Sequence, residues 1–224
     1  MRQGLGLTRP DAVIFDWDGT LADNWGAIER SLNATFSAFG RPTWSMKEVR
    51  QRTKQSARDA FPKLFGEHWE PALAYFYERF EEFHAGEVQP LPGAADLLRV
   101  LTEGEVPMAV VSNKNGVYLR TEAQRLGWTH LFDNIVGATD APRDKPAVDP
   151  VHLALARSGI HPGPSVWFVG DTVSDLECAH RSNCVPLLIE GGAVTAQELL
   201  DWHPQAIFPS CMALADAFLD CTGA

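Results

Sequence analysis

Six short, largely apolar runs restrict the architectures open to this chain. The first, Ala12-Val13-Ile14-Phe15, has no polar residue at either alternate position and ends directly in Asp16. A strand formed there must be covered on both faces, as in a parallel sheet flanked by helices. Comparable runs recur at Met108–Val111, Ile135–Val136, Val166–Val169, Val185–Ile189 and Ala206–Phe208, with helix-patterned segments between most of them. The alternation predicts an α/β fold with a doubly wound parallel sheet. In such sheets ligands sit beyond the carboxyl ends of the strands, where the topology changes direction, so the residues just after each run are the ones that carry chemistry.

One interval breaks the rhythm. About ninety residues separate Asp18 from Met108, far more than one crossover helix requires. Ile28, Leu32, Phe36 and Phe39 follow a helical spacing that Gly40 and Pro42 stop. Ser45 with Glu48 and Ser56 with Asp59 match helix-start patterns, and Leu73, Phe76, Tyr77, Phe80 and Phe83 form a further stripe behind Pro71. These predict an all-helical insertion over residues 24–88, its aromatic stripes forming a core. Pro90-Leu91-Pro92-Gly93 marks the return to the main domain, and 94–103 reads as the helix feeding the second strand.

Composition removes several function classes. Nineteen basic residues against 29 acidic ones give a net charge of −10, with no basic stripe, so neither nucleic acid nor an anionic membrane is expected as a partner. No run reaches the roughly 18–20 apolar residues of a membrane span, and Met1 to Pro10 lacks an apolar signal core, which predicts a cytoplasmic protein. Cys178, Cys184, Cys211 and Cys221 have no metal-site spacing and read as scattered reduced thiols. The histidines have none either; His68 and His84 read as surface residues. No coiled-coil repeat points to an oligomeric state.

The chemistry concentrates in two acidic clusters. Asp16-Trp17-Asp18-Gly19-Thr20 closes the first strand, and a turn at Gly19 can bring both carboxylates to one site. Like charges so close repel unless a cation or hydrogen bonds compensate, so the pair points to a metal, a proton-transfer role, or both, while the motif alone also fits a solvated turn. Gly170-Asp171-Thr172-Val173-Ser174-Asp175 follows another strand and sets Asp171 and Asp175 one helical turn apart. Two carboxylate clusters at two parallel strand ends suit Mg²⁺, which takes oxygen ligands and retains water. Ser112 and Asn113, placed beyond the second strand, offer donors to a phosphate oxygen, and the loop lysine Lys145 can neutralise a phosphoryl group or steady the acids.

Asp16-Trp17-Asp18-Gly19-Thr20, Ser112-Asn113, Lys145-Pro146 and Gly170-Asp171 with Asp175, in this order, resemble the motifs of the haloacid dehalogenase superfamily, and within it the aspartate-nucleophile phosphatases of the phosphoglycolate phosphatase-like branch. The resemblance implies a Rossmann-like core at 1–23 and 89–224 and a helical cap at 24–88. It implies that Asp16 is the nucleophile, that Asp18 is the acid and base, and that Mg²⁺ is held by Asp16, the Asp18 carbonyl, Asp171 and Asp175, the last through water or by holding the lysine. It further implies that Lys145, Ser112 and Asn113 bind the transferred phosphoryl group and that Thr20 orients the loop beside it. Dehalogenases of the superfamily lack an aspartate matching Asp18, so the resemblance favours phosphoryl transfer. The implied substrate is a small phosphorylated metabolite, a phosphoglycolate-like acid or a sugar phosphate. A sugar phosphomutase and a non-catalytic phospho-ligand module are the alternatives. The cap loop Arg52–Arg58 would reach the site, with Arg52, Lys54 or Arg58 meeting an anionic leaving group, although its sequence departs from the glycine-containing loops of that branch.

Overall fold

The computed structural model describes residues 6–84, 88–192 and 194–222; the first five residues of the leader and 85–87 of the expected insertion lie outside the described residues. The six apolar runs become β1 (Ala12–Phe15), β4 (Met108–Asn115), β5 (Asn134–Ala138), β6 (Val166–Gly170), β7 (Val185–Ile189) and β8 (Ala206–Phe208). They pair in parallel throughout, in the order β5-β4-β1-β6-β7-β8. The winding reverses between β1 and β6, which places a crevice at their carboxyl ends.

The continuous apolar character of β1 has a direct cause, since its side chains alternate between two separate cores. Val13 and Phe15 pack with Val110, Trp167 and Val169 under α5 (Ala94–Glu103), α6 (Gly116–Arg125) and α10 (Cys211–Thr222), where Leu97, Leu101, Leu119, Leu214 and Phe218 are buried. Ala12 and Ile14 pack with Val111 and Phe168 against α7 (Asp149–Leu155) and α8 (Val173–Arg181). One expected boundary moves: β4 continues to Asn115, so Ser112 and Asn113 lie on the strand and not beyond it. Polar residues extend the strand there because they face the crevice and no core.

The long interval is helical as expected. A two-stranded antiparallel ribbon, β2 (Ala22–Asp23) with β3 (Gln89–Pro90), brackets α1 (Trp25–Ala38), α2 (Met46–Arg52), α3 (Ala57–Phe65) and α4 (Trp69–His84). Ser45 caps α2 in a reciprocal box with Glu48, and Ser56 accepts the Asp59 N–H at the start of α3. Pro71 sits in the first turn of α4, where its missing N–H costs no helical bond. Trp25, Ile28, Leu32, Phe36, Phe61, Phe65, Phe76 and Phe80 make a third core that belongs to these helices. A short α9 (Ala196–Trp202) lies between β7 and β8. Among the described residues no helix is long and apolar enough to cross a membrane, and all four cysteines are free thiols.

Ile14, fully buried at the centre of the sheet, gives a test of this layering. Ile14→Ala is expected to lower the unfolding free energy by about 2–5 kcal/mol, and Ile14→Val by about 0.5–1.5 kcal/mol, in urea titrations.

Candidate active site

β1 ends at Phe15, and the Asp16 N–H donates to the Val169 carbonyl of β6 at 2.9 Å, fixing Asp16 as the first residue past the sheet. The chain then turns tightly: the N–H groups of Thr20, Leu21 and Ala22 all converge on the Trp17 carbonyl. Gly19 adopts a positive φ of 87° beside Asp171, and a β-carbon there would lie 2.2 Å from Asp171 Oδ2. Gly192 packs on Asp171 from the other side, where a β-carbon would meet the Asp171 carbonyl oxygen at 1.7 Å. Both glycines let the backbone approach the acid.

Asp171 follows β6, and Asp175 sits in the first turn of α8. Thr172 donates its N–H and its hydroxyl to Asp175 Oδ2 at 3.0 and 2.6 Å. That leaves Asp175 Oδ1 for the Lys145 ammonium at 2.6 Å, while the same ammonium donates to Asp16 Oδ1 at 2.7 Å. Lys145 is only 3% exposed. Oxygens of Asp16, Asp171 and Asp175 lie within 4.8 Å of one another, so three buried carboxylates face a single ammonium. The electrostatics record the imbalance. Burial raises Asp16 to about 6 against the pull of Lys145, and burial with the charges of Asp16 and Asp175 raises Asp171 well above the usual carboxylate range. Lys145 moves upward, its two carboxylates outweighing the cost of burial. An all-oxygen donor set with excess negative charge fits a hard divalent cation.

Other expected site residues take more specific places. Thr20 is buried and donates to Asp171 Oδ1 at 3.3 Å, so it steadies an acid and does not face the cleft. Ser112 accepts the Lys114 N–H at 3.2 Å, which leaves its own proton to donate. Asn113, expected to bind a phosphate oxygen, lines the cleft with its amide N–H groups turned to two backbone carbonyls. These N–H groups donate to the carbonyls of Lys145 and Lys54, holding the lysine loop and the α2–α3 loop together.

A second buried network was not foreseen. Lys114 donates to Asp18 Oδ1 at 2.7 Å and to both oxygens of Glu122 at 2.7 and 2.8 Å. Glu122, fully buried on α6, also accepts from Trp17 Nε1 and Asn24 Nδ2. His84, expected at the surface, is buried here: it stacks on Phe80, lies edge-on to Tyr118 and comes within 3.5 Å of Glu122. Burial, helped by the nearby Arg125 and Lys114, lowers it to about 4, so it is neutral at pH 7. Burial raises Asp18 to about 6 despite Lys114. The only available sign was the position of Lys114 two residues after Ser112 on an extended strand, which places both on one side.

Between these groups and the inserted helices runs a cleft of about 980 Å³, counting its mouth. Asp16, Asp18, Ser112, Asn113, Lys114 and Lys145 line one end. Of the basic residues expected to meet an anion, Arg52 pairs with Glu48, Lys54 with Glu198, and Arg58 with Asp144.

Residues 13–189 match the family Haloacid dehalogenase-like hydrolase. The chain belongs to that family. Among curated proteins it is 26% identical over 204 residues to a phosphoglycolate phosphatase of Chromobacterium violaceum, covering 87% of this chain and 91% of the relative. It is 31% identical over 195 residues to the N-acetylmuramic acid 6-phosphate phosphatase of Pseudomonas aeruginosa, covering 85% and 86%. The fold is shared with CbbY from Rhodobacter sphaeroides, solved in complex with phosphate, at a TM-score of 0.80 and 23% identity over 94% of this chain and 99% of that one. The parallel six-stranded sheet flanked by helices in this hydrolase is consistent with that fold.

The charge imbalance yields a stability prediction. Asp16 and Asp18, at about 6 in the fold against roughly 3.9 unfolded, hold protons more tightly when folded. Their contribution is therefore full below pH ~4 and is lost as pH rises through about 6. Cation-free protein should lose thermal stability across that window, and Asp171→Asn, which removes one of the three clustered charges, should lose less. At neutral pH a saturating divalent cation should raise the wild-type Tm, by about 2.7 kcal/mol of stability at a hundredfold excess over Kd, and raise that of Asp171→Asn far less.

Proposed function

We propose that this hydrolase is a Mg²⁺-dependent phosphatase that cleaves a small phosphorylated metabolite of the cytoplasm through an aspartyl-phosphate intermediate. In this reading residues 1–23 and 89–224 form the catalytic core and 24–88 the cap that covers it. The observation that carries it is the position of Asp16, whose carboxylate belongs both to the acidic cluster and to the end of the cleft.

Asp16, the Asp18 carbonyl, Asp171 and Asp175 would hold Mg²⁺, which when bound offsets negative charge on the phosphoryl oxygens. Lys145 donates to Asp16 and, with the Ser112 hydroxyl, neutralises the transferred group, whose oxygens carry the transition-state charge. An Asp16 carboxylate oxygen attacks phosphorus, the bond to the leaving oxygen breaks, and Asp18 gives that oxygen its proton. Asp18, now a carboxylate, takes a proton from water as the water oxygen attacks phosphorus. The bond to Asp16 breaks and inorganic phosphate leaves. An Asp18 carboxyl near pKa 6 suits a group that must give and then take a proton near neutral pH. The inserted helices shield the acyl phosphate from bulk water.

The relatives support phosphoester hydrolysis without agreeing on the alcohol: one is named for phosphoglycolate and another for an amino-sugar phosphate. A phosphomutase must hold a second phosphate, and the basic side chains of the cleft other than Lys145 are each paired with a carboxylate of the protein. Mg²⁺-dependent phosphate release from a panel of phosphomonoesters tests the reading. Chelator should abolish release, Asp16→Asn should retain under about a thousandth of it, and Asp18→Asn should lose about 10²–10⁴-fold. Wild-type release from Asp16→Asn would overturn the assignment.

A further inference from the structure

The walls of the cleft change character with distance from Asp16. At the acidic end lie Asp18, Ser112 and Lys145. Beyond them one wall is apolar: Trp44, Leu64, Tyr77 and Tyr118 are half-buried at its surface, backed by buried Trp25 and Phe61, while the α2–α3 loop adds Arg52, Thr53, Lys54 and Gln55. The apolar wall is unlike the one expected for a doubly anionic substrate. A phosphoester that carries a carboxylate or a second phosphate needs a cation at its far end.

The cations that reach the cleft are each paired with a carboxylate, Arg52 in an exposed pair on α2 and Lys54 and Lys114 in more shielded ones. Arg52 lies 3.1 Å from Glu48, Lys54 lies 2.7 Å from Glu198, and Lys114 lies 2.7 Å from both Asp18 and Glu122. The Lys54 and Lys114 pairs are also substantially shielded from water, so drawing either cation to a ligand would leave a carboxylate without its partner. Arg58, just outside, is held at 2.8 Å by Asp144, whose side chain is almost fully buried. The cap side also presents neutral polar groups, Thr53 and Gln55 among them. Thr53 Oγ1 is buried on the cleft wall with no hydrogen-bond partner, which suits a hydroxyl, ether or carbonyl of a ligand and offers nothing specific to an anion.

We infer that the leaving group of the substrate is a neutral alcohol with a substantial aromatic or branched hydrocarbon body, and that the cleft selects against a second anionic group. The inference rests on the phosphatase reading and narrows it. The phosphoryl group binds at Asp16, Ser112 and Lys145, and the hydrocarbon lies along Trp44, Leu64, Tyr77 and Tyr118. Burial of apolar surface on both partners supplies the affinity, and Thr53 supplies one hydrogen bond.

Binding of unreactive phosphonates to the Mg²⁺-loaded wild-type protein tests this separately from turnover. By calorimetry, 2-phenylethylphosphonate should bind at least about tenfold more tightly than methylphosphonate, and phosphonoacetate, with its added carboxylate, no more tightly than methylphosphonate. Leu64→Ala should weaken the phenylethyl compound alone, and if that variant does not fold, the wild-type order still decides. Tightest binding by phosphonoacetate, equal binding by all three, or no binding by any overturns the inference. Loss of the phosphatase reading would look different, with the phenylethyl preference intact and no phosphomonoester hydrolysed.

Discussion

A single buried ammonium, that of Lys145, stands between Asp16 and Asp175 with Asp171 alongside, and the rest of the site is arranged around it. Placing charges out of water costs several kcal/mol per ion even after relaxation. The site meets that cost through geometry drawn from every central strand. β1 supplies Asp16, β6 leads into Asp171 and the Thr172–Asp175 cap, and β4 supplies Asn113, which fastens the lysine loop by its carbonyl. The parallel sheet therefore does more than enclose a core, since its strand order brings four loops to one end. The ammonium still falls short of balancing three carboxylates. That shortfall suits the cluster to a hard divalent cation.

Glu122 performs a comparable role for the second carboxylate of the first motif. It gathers Lys114, Trp17 and Asn24 and lies beside a neutral His84, so one buried acid joins the Asp18 loop to both ends of the helical insertion. Asn24 opens that insertion and His84 closes α4. The Asp16–Thr20 loop and the inserted helices thus share a polar anchor that is almost entirely removed from solvent, where hydrogen bonds are strongest and unmet partners most costly. The anchor also leaves Lys114 committed within the protein, and this contributes to the apolar balance of the cleft beyond it.

Much of the fold was legible because each signal had a local cause. β1 reads as continuous apolar sequence because its alternate residues enter two cores, and α5 begins directly after the Pro90-Leu91-Pro92-Gly93 turn that marks the return to the main domain. The Ser45 and Ser56 caps were visible as patterns because capping acts over three residues. The acidic residues of the site were legible for the same reason, as they stand at the ends of those strands. What escaped the sequence depends on contacts between distant segments. β4 outlasts its hydrophobic run because Ser112 to Asn115 face the cleft. Glu122 looks like one more polar residue of α6 until Trp17, Asn24 and Lys114 are placed around it, and His84 is buried only because Phe80 and Tyr118 enclose its ring. The packing of Gly192 on Asp171 has no local sign either, because Asp171 is twenty-one positions earlier in the chain.

The central claim is that Asp16 is covalently phosphorylated during turnover. Acid quenching of the Mg²⁺-loaded enzyme in the pre-steady state, followed by peptide mass spectrometry, tests it most directly. The account predicts a hydroxylamine-labile acyl phosphate on the peptide that contains Asp16, formed and lost at rates able to support turnover. Steady phosphate release with no phosphorylated enzyme, or with the phosphoryl group on another residue, would contradict it.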